Sequence, residues 1–115
     1  MMNKTTERIR HRPKVFIINR GCHNFSAAER FGDLVFMTEG MVSRYAVGEI
    51  YRAFEEHLTS STPDDYLLVS GMSTMLIVAS GMLTQKHGCL NLLLYKNGRY
   101  LKRHIKLDNG EANHE

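Results

Sequence analysis

Four short apolar runs punctuate the chain, at residues 14–19 (KVFIIN), 33–38 (DLVFMT), 66–70 (YLLVS) and 89–95 (CLNLLLY), with longer segments between them. A strand buried on both faces reads as a continuous apolar run rather than as an alternation of apolar and polar residues. Parallel neighbours of that kind can be joined only by a crossover of a dozen or more residues, usually helical. These runs and their spacing therefore confine the chain to a sheet with mostly parallel strands and helices packed against it.

The connecting segments carry helix patterns. Ser26-Ala27-Ala28-Glu29 fits a capping box, in which the Ser hydroxyl and the Glu carboxylate satisfy free N–H groups at a helix start, so a short first helix is expected to reach Phe31, with Gly32 as its stop. Val47, Ile50, Phe54 and Leu58 fall at steps of three and four with Glu49, Arg52, Glu55 and Glu56 opposite, which predicts an amphipathic helix over 47–59. Residues 72–86 are apolar nearly all round, and their length decides for a buried helix ended by Gly88. Ala79, Ser80 and Gly81 in its middle would let another backbone come close.

Asn97-Gly98 favours a type I′ hairpin turn, because both central residues of that turn need positive φ. Residues 100–107 should then return antiparallel, with Leu101, Ile105 and Leu107 inward and Tyr100, Lys102, His104 and Lys106 outward. The order β-α-β-α-β-α-β-β predicts a single Rossmann-like three-layer α/β domain over 14–107, its mostly parallel sheet finished by an antiparallel C-terminal edge hairpin. Residues 1–13 read as a basic flexible arm and 108–115 as a disordered tail. A chain of 115 residues has room for one such core and not for two.

Composition narrows the setting. With 43% hydrophobic and 23% charged residues the chain should fold. Its longest apolar stretch, 72–83, falls well short of the roughly 20 residues a bilayer span needs. The polar, basic N-terminus lacks the apolar core of a secretory signal, so a cytoplasmic protein is expected. Cys22 and Cys89 form no zinc-type spacing and are expected as free thiols; no metal and no cofactor is implied. The net charge of +3 is unevenly spread. Lys4, Arg8, Arg10, Arg12 and Lys14 crowd one end and Lys96, Arg99, Lys102, Arg103 and Lys106 the other, while residues 15–95 are net acidic. Basic extremities on an acidic body suit a polyanionic partner.

If the first three strands are parallel, their C-terminal ends share one edge of the sheet, where open α/β folds bind ligands. The loops there hold Arg20, Gly21, Cys22, His23 and Asn24 after the first strand, and Glu39 and Gly40 with Ser43, Arg44 and Tyr45 after the second. After the third comes Ser70-Gly71-Met72-Ser73-Thr74, which runs straight into the apolar helix and offers N–H groups and hydroxyls to an anion. Candidate ligand residues are Arg20, His23, Asn24, Glu39, Ser70, Gly71, Ser73 and Thr74. His23 with Glu39 would make an acid–base pair if their loops touch. Candidate nucleic-acid residues are Lys96, Arg99, Tyr100, Lys102, His104 and Lys106, an aromatic among cations.

The segments Asn19-Arg20-Gly21-Cys22-His23-Asn24-Phe25-Ser26-Ala27-Ala28-Glu29-Arg30-Phe31-Gly32, Pro63-Asp64-Asp65-Tyr66 and Asn91-Leu92-Leu93-Leu94-Tyr95-Lys96-Asn97-Gly98 together resemble a group of small proteins from bacteriophages and related mobile elements, over about residues 14–107. The resemblance implies an origin, hence a host-cell cytoplasm, and no activity. Ser70-Gly71-Met72-Ser73-Thr74 is also similar to the ligand loop of CRISPR-associated Rossmann-fold domains, which bind cyclic oligonucleotides, with Met72 where those loops have a second glycine.

The expectation is a binding module for a phosphate-bearing or nucleotide-like ligand, without catalysis, paired as a homodimer through the apolar helix or the sheet edge. An alternative is a phage structural or interaction protein that contacts nucleic acid or a partner protein through its basic arm and hairpin. A third, a small hydrolase or nuclease, would rest on His23 and Glu39.

Overall fold

The structure, a computed structural model, describes residues 12–107. Five strands, β1 (Lys14–Ile17), β2 (Asp33–Phe36), β3 (Tyr66–Leu68), β4 (Cys89–Lys96) and β5 (Arg99–Lys106), form one sheet in the order β2-β1-β3-β4-β5. All neighbours are parallel except the β4–β5 hairpin. Two α-helices, α1 (Val47–Leu58) and α2 (Ser73–His87), link β2 to β3 and β3 to β4. The basic arm and the tail lie almost wholly outside the described residues.

Burial follows the pleat. Phe16 and Ile18 point to the helix side and pack with Ile50, Phe54 and Leu58 of α1 and Met75, Ala79 and Leu83 of α2. Val15 and Ile17 point to the other side and pack with Phe25, Ala28, Leu68, Leu93 and Tyr100. Residues 15–18 are at most 1% exposed, which is why the run shows no alternation. On each helix the buried residues recur at steps of four, one stripe facing the sheet. Val47, expected on the stripe of α1, is 48% exposed because it lies in the first turn, before α1 reaches the core. Ala79 is buried where α2 packs on the core, whereas a Cβ on Gly81 would meet nothing within 4 Å.

Two expectations are corrected. The first helix is a five-residue 3-10 segment, Ser26–Arg30, and the capping box does not form: Phe25 occupies the N-cap, and Ser26 instead donates its N–H to Asn24 Oδ1 at 2.8 Å. Five residues between an Asx turn and Gly32 are too few to repay α-helix nucleation. Gly32 has no room for a side chain, since a Cβ there would lie 2.2 Å from Pro13 O.

The second correction concerns β5. Tyr100, expected outward, is 8% exposed, and Ile105 and Leu107, expected inward, are 45% and 48% exposed. Tyr100 faces the 3-10 side, where the segment after β1 covers it; Ile105 and Leu107 extend past the cover of α2. Alternation divides a strand into two faces without saying which one is covered.

The hairpin turn is as expected, with Asn97 at φ 52° and Gly98 at φ 88°. No helix among the described residues is long and apolar enough to cross a membrane.

Candidate functional site

The chain leaves β1 toward β2 on one side, then crosses back over β1 to β3 on the other. At the C-terminal ends of β1 and β3 the connections therefore part, leaving a crevice. The loops after β1, β2 and β3 meet there around a cleft of about 340 Å³, lined by Asn19, Gly21, His23 and Phe25, by Gly40, Met41 and Val42, and by Ser70, Gly71, Met72 and Met75. Each loop contributes a glycine at positive φ, Gly21 at 54°, Gly40 at 79° and Gly71 at 103°. Glycine adopts such angles at the least cost, and these three let the backbone turn sharply at the rim.

Asn19 ties the first two loops together. Its Oδ1 accepts the Gly21 N–H at 2.9 Å, and its Nδ2 donates to Thr38 Oγ1 at 2.9 Å and to Gly40 O at 3.0 Å. Thr38 in turn donates to Ile18 O at 2.6 Å. The rim is thus held by side chains where the β1–β2 ladder ends.

The expected ligand residues divide. His23, Ser70 and Gly71 line the cleft, whereas Arg20, Asn24, Glu39, Ser73 and Thr74 do not. Arg20 Nε lies 3.1 Å from Glu39 Oε2, and its guanidinium sits 4.0 Å above the Phe36 ring, so Glu39 pairs with Arg20 and not with His23. His23 rests edge-on against Phe25, ring centres 5.9 Å apart. Asn24 is occupied in the Asx turn. Ser73 and Thr74 stand in the first turn of α2, where Met72 is the N-cap and no side chain caps the helix.

Sequence reasoning missed Asn19, Phe25, Met41, Val42 and Met75, and named Met72 only as part of the third loop. Phe25, Met41 and Val42 are apolar loop residues with no period to reveal them, and Met75 reads from the sequence as part of the buried helix. Asn19, between a strand and a glycine two residues on, had a readable signal.

A second cleft of about 320 Å³ shares His23, Phe25 and Ser70 with the first and reaches Tyr95 and Tyr100. These two tyrosines meet edge-on at 5.1 Å. Burial and the neighbouring Tyr95 hydroxyl push the Tyr100 phenol above its usual value.

At the opposite end of the sheet, a cleft of about 480 Å³ is lined by Pro13, Asp64, Tyr66, Asn91, Lys102, Arg103 and His104. Of the expected nucleic-acid residues, Lys96, Arg99, Lys102, His104 and Lys106 are exposed. Tyr100 is removed from that surface by burial, and Tyr95, 62% exposed on the same face, takes its place as the accessible ring. Cys22 and Cys89 are free thiols. Among the described residues no three His, Cys, Asp or Glu side chains cluster as a metal site would require.

No curated protein and no solved structure matches the chain, and the likeness of residues 70–74 to CRISPR-associated ligand loops rests on those five residues alone. A family model described as "Phage Pam3 gp32-like protein" matches residues 13–108, which spans the whole sheet and both helices. The chain belongs to this family of phage proteins.

Proposed function

We propose that the rim at the C-terminal ends of β1 and β3 binds a small phosphate-bearing or nucleotide-like molecule, and that the domain is a Rossmann-like binding module. The observation that carries this reading is the convergence of three loops, far apart in sequence, on one cleft at the point where the winding reverses. In open α/β sheets such a point is where ligands seat. The lining supports the ligand class. Phe25, Met41, Val42, Met72 and Met75 suit a flat ring, while the Ser70–Gly71 backbone and the uncapped start of α2 suit an anion beside it. Glu39, the carboxylate an acid–base pair with His23 would need, pairs with Arg20 instead.

A thermal-shift screen of the full chain over mononucleotides, cyclic dinucleotides and inorganic phosphate tests the reading. At least one nucleotide should raise the Tm, and Met41→Glu, at a fully exposed position of the lining, should abolish the rise without lowering the unliganded Tm. Ser73→Ala with Thr74→Ala should reduce it if the start of α2 holds the phosphate. A screen in which no phosphate compound moves the Tm would remove the proposal.

A further inference from the structure

We propose that the exposed part of the β4–β5 hairpin on its 3-10 side, beyond the buried Leu93 and Tyr100, and the cleft at its far end bind single-stranded nucleic acid, independently of the rim. Residues directly opposite each other in an antiparallel pair share a face. The pairs Tyr95–Tyr100, Leu93–Lys102, Asn91–His104 and Cys89–Lys106 therefore set Tyr95, Lys102, His104 and Lys106 along one side of the hairpin. Alternate residues of a strand repeat at about 6.7 Å, comparable to the step between phosphates of an extended strand. Tyr95 offers an accessible ring at one end of this row, and Tyr66, level with Asn91 and His104, lines the cleft. Cations in line with an accessible ring are the arrangement that tracks a backbone while bases stack.

Two further observations point to a polyanion. Arg99 and Arg103 add charge from the other face of β5, and among the described residues no carboxylate forms an ion pair with any β5 cation. Asp64 is the one acid in the cleft lining. Pro13 forms part of the same wall. A second copy of β5 at this edge is disfavoured, because it would set Arg99, Lys102, Arg103 and Lys106 against the same four residues.

Fluorescence anisotropy of the full chain with a labelled oligothymidylate of about 15 nucleotides tests the proposal. Binding should weaken steeply between about 50 and 200 mM salt. Lys102→Glu with Lys106→Glu should weaken it about tenfold or more and flatten the log K against log salt slope by about 0.7 per lost phosphate contact. Tyr95→Ala should weaken it about fivefold or more with the slope unchanged, the mark of lost stacking. All three positions are exposed, and circular dichroism checks that the variants fold. No binding at the lowest salt, binding indifferent to the charge reversal, a duplex bound as tightly with Tyr95→Ala silent, or displacement by polyglutamate as readily as by oligonucleotide would each overturn it.

Discussion

Asn91 Oδ1 lies 2.5 Å from His104 Nδ1, and only one arrangement of protons satisfies the contact. The Asn91 amide nitrogen is engaged by two carbonyls, Pro63 O at 2.7 Å and Asp65 O at 3.0 Å, which can only accept. The oxygen must therefore face His104, whose Nδ1 must carry the proton. A long-range 1H–15N spectrum of neutral His104 should show the Nδ1–H tautomer, and Asn91→Ala should return it to a mixture. The same substitution strips two carbonyls of a donor and is expected to lower stability by about 1–3 kcal/mol in urea unfolding.

Asp65 joins the starts of β1 and β3. It is 7% exposed, its Oδ1 accepts the Lys14 N–H at 2.9 Å, and its Oδ2 accepts the Thr62 N–H at 2.8 Å. Asp65→Ala should cost about 1.5–3 kcal/mol, the range for a hydrogen bond to a charged group, measured by the shift of the urea midpoint. Asp64→Ala, at an exposed neighbour, should change it by less than about 0.5 kcal/mol.

The same substitution should act in opposite directions at two glycines. A Cβ on Gly32 would meet Pro13 O at 2.2 Å and Pro13 C at 2.8 Å, both backbone atoms at the entry to β1. Gly32→Ala is expected to destabilise by about 1–3 kcal/mol or prevent folding. Gly81 lies inside α2 facing open space, so Gly81→Ala should stabilise by about 0.5–1 kcal/mol. Thermal unfolding of the two variants side by side checks the sign.

His87 links folding to pH. Burial, then the neighbouring Lys86, lowers its pKa below the ordinary histidine value, with Asp65 acting weakly the other way. Ser61 donates its hydroxyl to Leu58 O at 2.8 Å and so accepts from His87 Nε2 at 2.8 Å. With the native pKa lowered, the unfolded chain binds the proton first as pH falls through about 6.5. Stability contributed by neutral His87 is thus present above that pH and declines below it. The urea midpoint should drop between about pH 7.5 and 5.5, and His87→Gln should reduce the drop.

What was readable in the chain was local. Runs such as VFII and LLV, the four-residue step from Ile50 to Phe54 to Leu58, and the Asn97–Gly98 turn each encode their structure within a few neighbours, because burial on two faces, helical periodicity and positive φ are properties of short segments. They specified an α/β sheet with parallel strands and an edge hairpin, and they placed the three loops at one end of it.

Tertiary structure decided what depends on coverage and competition. Whether Tyr100 or Ile105 is buried rests on which element lies over each face of β5, and periodicity holds no record of that. Whether Glu39 meets Arg20 or His23 rests on distances across loops nineteen and sixteen residues apart in sequence. The capping box lost to the Asx turn of Asn24 because the segment was too short to nucleate a helix against the fixed contact of Gly32 with Pro13. Contacts between distant segments are set by how the layers pack, and only the folded molecule contains that information.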